Sequence, residues 1–249
     1  MIYRLIKEAK NKVIFECENI RKKILLALSP AANPMAVKGK VYLYHGNLFR
    51  HEIQYSIPSF YGVALKRDNP RDIAITSDGK LPLPDGIADA FQSQDVLEHL
   101  DPSLVVPTLN EIYRVLKPGG FFRLSVPDYR SPLLRRRTIF NDKGEALGDV
   151  GMGATAFTAD LNSEIQIKHS APIGDNHLWL PTYEKVKQYL QESNFSHCKT
   201  EFLHYIEEDG SFLTKEIPKM EVFRVKRAPP QDMRSAGMPI SIIVDIIKA

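Results

Sequence analysis

At 249 residues and 43% hydrophobic, the chain is long enough for one α/β domain with a sizeable core and too apolar for a disordered polypeptide. Its 33 basic residues nearly balance 30 acidic ones, leaving a formal charge of +3, so neither nucleic acid nor an anionic membrane is implied as the main partner. Cys17 and Cys198 form no CxxC pair, which argues against a disulfide framework or a structural zinc site and fits a reducing, cytoplasmic compartment.

No apolar run is long enough to span a bilayer, and MIYRLIKEAK lacks the apolar core of a secretory signal. Instead Ile2, Ile6, Ala9, Val13, Cys17, Ile20 and Ile24 recur at steps of three or four, which predicts one face of a long N-terminal helix. Lys7, Lys10, Lys12, Arg21, Lys22 and Lys23 fill much of the rest. Such a helix suits peripheral membrane contact by residues 1–28 or docking on a partner, and above all the cover of one edge of its own domain. SPAANPMAVKGK, residues 29–40, reads as a linker because two prolines and a glycine interrupt any helical period.

From residue 41 to 249 the pattern is that of one domain. Candidate strands are 41–45, 60–65, 72–76, 87–94, 120–126, 198–206 and 239–248, with helices between several of them. Alternation of this kind predicts a mostly parallel sheet with helices on both faces. In DPSLVVPTLNEIYRVLKPGG, Leu109, Ile112, Tyr113 and Leu116 have helical spacing, Pro107 suits a first turn, and Gly119-Gly120 supplies a stop before the strand FFRLSV. Upstream, LPLPDGIADAFQSQDVLEHL reads as a strand ending in a loop that carries Gln94, Asp95, Glu98 and His99. Open α/β sheets bind ligands at the carboxyl ends of their strands, so these residues lie where a ligand is expected. Glu98 and His99 suit acid–base work or, with His169 and His177, a metal cluster; their spacing matches no zinc pattern, so no metal is expected.

The run LPLPDGIADAFQSQDVLEHL through LNEIYRVLKPGGFFRLSVPD resembles the second half of the class I S-adenosylmethionine-dependent methyltransferases, in the branch with LPFPD, LEHL and RVLKPGG signatures. DNHLWLPTYEKVKQYLQESNF and ISIIVDIIK are similar to that family's later loop, helix and last strand. The resemblance implies a Rossmann-like, seven-stranded sheet of order 3-2-1-4-5-7-6 with the last strand antiparallel. It further implies S-adenosylmethionine as cofactor and a small-molecule or saccharide acceptor, as in surface-glycan assembly.

Against that family, VYLYHGN places Tyr44 where the first glycine of the cofactor loop belongs and keeps Gly46 at the second. A tyrosine restricts backbone approach and positive φ, and its ring either points away or enters the methionine pocket. Ala64 stands where the family presents an acid to the ribose hydroxyls, with Asp68 four residues later. Losing a charge-assisted hydrogen bond costs on the order of 1.5–3 kcal/mol, about tenfold or more in affinity. The cofactor positions implied are His45, Gly46 and Asn47 after the first strand, Leu65 after the second, Ser77, Asp78 and Gly79 after the third, and Gln94 and Asp95 after the fourth. The register leaves Ser77 and Asp78 as alternatives for the adenine amino group, and Asp78-Gly79 also reads as a plain turn.

Methyl transfer to a hydroxyl needs in-line alignment and a proton acceptor. Asp128 and His177 are the candidates, each with an equally good reading as a helix cap or a loop hydrogen-bonder. Arg135-Arg136-Arg137 suits either a phosphate or a solvated face, and residues 141–176 suit a lid over the acceptor. The alternative function is a methyltransferase-like subunit that has lost the cofactor and docks through its leader helix. A nicotinamide dehydrogenase fits worst, because no GxGxxG follows the first strand.

Overall fold

The structure, a computed structural model, describes residues 16, 20, 24, 32–36, 38–48, 56–158, 164–170, 174–220 and 223–249. In chain order the strands are β1 (Tyr42–His45), β2 (Phe60–Ala64), β3 (Asp72–Ala74), β4 (Ala88–Gln94), β5 (Leu116–Pro127), β6 (Thr138–Phe140), β7 (Ala146–Asp149), β8 (Ala154–Phe157), β9 (Gln166–His169), β10 (Lys199–Ile206), β11 (Phe212–Thr214) and β12 (Ser241–Ile247). Among the helices with described bounds are α1 (Pro102–Val115), α2 (Pro132–Arg135) and α3 (Tyr183–Glu192).

Eight of these strands form one sheet in the order β11-β10-β12-β5-β4-β1-β2-β3. The seven expected strands keep their expected order, β11 is added at one edge, and β12 runs antiparallel to both β5 and β10. On one face Leu43, Phe91, Phe122 and Val244 pack beneath Leu109 and Ile112 of α1 and Val186 and Leu190 of α3. Helix α1 starts at Pro102, capped by Asp101, whose side chain accepts from the Ser103 amide, and it ends at Val115. The expected first turn at Pro107 therefore lies inside the helix, and the chain is already strand by Leu116, ahead of the two glycines.

The opposite face carries no described helix. Residues 217–220 and 223–228 cross it as a strap, with Phe223 seated among Leu48, Phe60 and Ala90, and Val225 and Ala228 on Leu203 and Ile243. Buried polar side chains of the sheet hold the strap by its backbone. Gln92 Nε2 donates to the Arg224 carbonyl at 2.8 Å, the Lys226 amide donates to Gln94 Oε1 at 3.3 Å, and Arg123, paired with Asp245 at 2.6 Å, donates to the Pro218 carbonyl. Buried polar groups must find partners, and here they find them in a loop rather than in a helix.

Between β2 and β3 residues 65–71 form a crossover without a helix, although parallel strands usually need a dozen or more residues to reconnect. The fully buried Asp72 makes this short path workable. Its carboxylate accepts from the amides of Leu48 (3.2 Å), Asp68 (2.8 Å) and Asn69 (3.0 Å) and from the side chains of Asn47 and Asn69 (both 2.7 Å), joining the loop after β1 to the loop after β2. Gly62 leaves room for that junction: a Cβ there would sit 2.5 Å from Asp72 Oδ1 and 2.7 Å from the Gly46 carbonyl oxygen.

Of the predicted leader helix, Glu16, Ile20 and Ile24 are described; all are helical and exposed, so Ile20 and Ile24 are not buried against the domain. The other leader positions lie outside the described residues. Within 141–176 the described segments build two small antiparallel sheets, β6-β7 and β8-β9. No described helix is long and apolar enough to cross a membrane.

Asp72→Ala would strand at least three backbone donors, at roughly 1–3 kcal/mol for each that remains buried, so the variant is expected to lose about 3 kcal/mol or more. Gly62→Ala, which forces the same junction apart, is expected to lose at least about 2 kcal/mol. Urea unfolding with an unchanged slope checks both; a midpoint equal to wild type in either variant would contradict the role given to the junction.

Candidate functional site

A cavity of about 680 Å³ opens at the carboxyl ends of β1 to β4. Its wall comes from the loop after β1 (His45, Gly46, Asn47), the end of β2 (Ala64, Leu65, Lys66), the loop after β3 (Asp78, Gly79, Lys80), the loop after β4 (Asp95, Val96, His99) and α1 (Thr108, Glu111). The chain leaves β1 through Gly46, whose φ of 120° is a conformation that side chains disfavour, and the Gly46 amide donates to the Val63 carbonyl at 2.7 Å.

Tyr44 does not enter this cavity. β1 alternates, so Tyr42 and Tyr44 point to the strap side, where Tyr44 packs on the cluster of Leu48, Phe60 and Phe223, while Leu43 and His45 face the helices. His45 sits at the cavity floor with Nδ1 3.1 Å from Ser93 Oγ, and burial pushes its pKa down to about 4. Asn47 is held to the Lys66 carbonyl and Asp72, so the loop after β1 is fixed by the Asp72 junction.

The loop after β4 is the most constrained part of the wall. Asp95 has φ 54°, unusual for a residue with a side chain, and its amide donates to the Ser125 carbonyl at 2.9 Å. Arg227 from the strap lies 3.3 Å from Asp95 Oδ2, whereas Oδ1 is buried with no hydrogen-bond partner among the described residues. Burial raises the Asp95 pKa, and Arg227 opposes the rise. Across the cavity, Asp78 and Gly79 form an exposed turn in which Thr76 donates to Asp78, so the turn reading and the cavity position hold together.

The two strongest sequence motifs prove to be one mechanical unit. Arg114 of YRVLKPGG donates to the carbonyls of Leu81 (2.9 Å) and Leu83 (2.8 Å) and to Asp85 (2.7 Å) of LPLPD, and Glu111 receives the Leu81 amide at 3.0 Å. Together they fix the loop that forms one side of the cavity.

Of the residues expected to contact a cofactor, His45, Gly46, Asn47, Leu65, Asp78, Gly79 and Asp95 line the cavity. Ser77 is exposed outside the wall, and Gln94, one residue before Asp95 on an alternating strand, points to the strap instead. Asp128 is also displaced from its expected role. Its fully buried carboxylate accepts from the Arg130 amide at 2.9 Å and the Ile206 amide at 2.8 Å, tying β5 to β10 away from the cavity, and burial pushes its pKa up to about 6.

His177 lies behind the wall rather than in it. Its Nδ1 meets the Tyr129 hydroxyl, which also bonds Asp149, itself paired with Arg137 at 2.9 Å. Burial, followed by the neighbouring His99, pushes the His177 pKa down to about 3. Its Nε2 is 3.8 Å from Glu98, and its ring stands 4.7 Å from that of His99, which does line the cavity. In the arginine triplet, Arg135 lies over Phe140 and Arg137 is paired with Asp149. Arg227, Tyr129, Asp149 and Asp72 escaped the sequence reading because each acts across a long separation in the chain.

A family model described as "Methyltransferase domain" matches residues 58–124, from just before β2 into β5. Residues 58–124 are thus similar to a methyltransferase domain. The match begins after the VYLYHGN loop. The sheet order agrees with the Rossmann-like fold that the sequence resemblance implies.

Solved structures similar to this chain include a SAM-dependent methyltransferase of Thermotoga maritima, 12% identical over 99% of this chain and 97% of that one with a TM-score of 0.46. An S-adenosylmethionine-dependent methyltransferase of Mesorhizobium loti is 14% identical over 91% and 96%, with a TM-score of 0.42. The 1,6-didemethyltoxoflavin-N1-methyltransferase of Burkholderia thailandensis, solved with S-adenosylhomocysteine, is 10% identical over 84% and 72%, with a TM-score of 0.40. No curated protein matches the chain.

A histidine whose pKa falls from 6.5 in the unfolded chain to about 4 in the fold is neutral when folded. Its contribution is complete above pH 6.5 and is lost as the pH falls toward 4, because the unfolded state takes up the proton first. Relative to His45→Asn, wild type is expected to lose roughly 3 kcal/mol across that window, since one pKa unit is worth about 1.4 kcal/mol. Chemical denaturation at a series of pH values checks this; parallel profiles for the two proteins would contradict the buried, neutral assignment.

Proposed function

We propose that the chain transfers a methyl group from S-adenosylmethionine to a small-molecule or saccharide acceptor, with the cavity at the ends of β1 to β4 as the cofactor site. The observation that carries this reading is that the cavity stays open although Tyr44 replaces a glycine, because the tyrosine ring is on the other face of the sheet. The wall suits the cofactor in kind. Val63, Ile75 and Phe91 are apolar, Gly46 lets backbone approach, and Asp95 contributes a carboxyl side chain to the wall.

S-adenosylmethionine supplies an electrophilic methyl on a sulfonium, which a nucleophile displaces in line. The protein's part is to align the acceptor, exclude water and accept the acceptor's proton. Since Asp128 is spent on two backbone amides and His177 is screened from the cavity, Asp95 and His99 place the acceptor end at the loop after β4. Gly174, within the 141–176 insertion, also touches the cavity, which supports a covering role for that segment.

The second reading, a methyltransferase-like subunit without cofactor, is favoured by one observation. Ala64 contributes to the wall where a ribose-binding carboxylate would stand, and no described side chain replaces it at that position.

Calorimetric titration with S-adenosylmethionine and S-adenosylhomocysteine is expected to show binding, weakened by the missing carboxylate. Ala64→Asp should tighten it by about tenfold, as expected for one hydrogen bond to a charged group. Neither heat nor thermal shift at millimolar ligand, in wild type and variant alike, would contradict the proposal.

A further inference from the structure

Behind the cavity wall, Glu98 is fully buried and neither carboxylate oxygen has a hydrogen-bond partner among the described residues. Two imidazoles face it: His177 Nε2 lies 3.8 Å and His99 Nε2 4.0 Å from Glu98 Oε1, and one ligand atom from each of the three residues lies within 4.8 Å of the others. These separations are too long for hydrogen bonds, so the carboxylate is not satisfied by the histidines.

The neighbours fix which nitrogen of each ring carries the proton. His99 Nδ1 is 2.8 Å from the Asn176 carbonyl oxygen, which only accepts, so Nδ1 bears the hydrogen and Nε2 presents a lone pair. The Tyr129 hydroxyl donates to the Asp149 carboxylate, so its oxygen accepts from His177 Nδ1, and His177 Nε2 also presents a lone pair. A carboxyl group and two imidazole lone pairs thus converge in a buried space. Arg227, a cation beside this loop, is paired with Asp95 instead.

We propose that Glu98, His99 and His177 form a binding site for a divalent transition-metal ion of the zinc class. The donor set, two histidines and one carboxylate, matches three-ligand catalytic zinc sites, which keep one position open. Both histidines have their Nδ1 hydrogens received by oxygen, the outer-shell arrangement typical of metal-bound imidazoles. Tetrahedral bonds of about 2.0–2.1 Å put ligand atoms roughly 3.4 Å apart, so binding shortens the two Glu98–histidine separations by about half an ångström and the histidine–histidine one by up to about 1.4 Å. His99 lines the cavity, which turns the open position toward it. The linear sequence hides this set because Glu98 and His99 are adjacent while His177 arrives on a distant loop.

The ion's use, which rests on the methyltransferase reading, is to bind an acceptor hydroxyl and lower its pKa beside the transferable methyl. The binding site itself does not depend on that reading, and the experiment separates the two. Full-length protein stripped with a chelator is titrated with zinc by calorimetry and with cobalt by visible absorption, and in parallel with S-adenosylhomocysteine. The expected result is one zinc per chain, raised thermal stability, and cobalt bands of a low-coordinate site that zinc displaces. Glu98→Gln and His177→Gln should abolish them, and Tyr129→Phe should weaken zinc binding about 10–100-fold.

No zinc heat and no cobalt bands in wild type would overturn the metal site whether or not the variants fold, as would undiminished binding in folded Glu98→Gln and His177→Gln. Loss of S-adenosylhomocysteine binding alone would count against the cofactor reading and leave the metal site standing.

Discussion

The carboxylate of Asp72 is the constraint on which the candidate site depends. It gathers donors from the loops after β1 and β2 and so does with hydrogen bonds what a glycine-rich turn does with backbone freedom. Gly62 yields the space, Gly46 supplies the one positive φ, and Asn47 bridges to the Lys66 carbonyl. With that junction in place, β3 follows β2 through residues 65–71 alone, and the mouth of the cavity keeps its shape although Tyr44 has replaced a glycine.

The same economy appears on the far face of the sheet. With no described helix there, the strap of residues 217–220 and 223–228 is held by Gln92, Gln94 and Arg123, polar residues that would be costly to bury without partners. Because the strap continues to Arg227, which pairs with Asp95, the cover of one sheet face is mechanically joined to the cavity on its edge. Asp95, held at positive φ between the Ser125 carbonyl and Arg227, is where fold and site meet.

Strand positions were legible because apolar and β-branched runs such as FYGVA and SIIVDII leave little choice, and the pairing of LPLPD with RVLKPGG was legible as a motif before Arg114 gave it a physical reason. What failed turned on single-residue register or on distance along the chain. Gln94 and Asp95 are neighbours, yet strand alternation sends one to the strap and the other to the cavity. Asp128 has the residue type and strand-end position of a catalytic acid, but β10 lies close enough for its Ile206 amide to claim the carboxylate. The helix-free crossover after β2 had no local signal, since Asp72 works through partners 24 and 25 residues away.

The central claim is that the Asp72 junction keeps a cofactor cavity open without the usual glycine pair. A crystal structure of the chain grown with S-adenosylhomocysteine tests it most directly. The account predicts ligand density between Gly46 and Asp95, with the Tyr44 ring still packed on Phe60 and Phe223 and Asp72 still receiving the Leu48 and Asn69 amides. Ligand bound elsewhere, or a Tyr44 ring occupying the cavity, would contradict it.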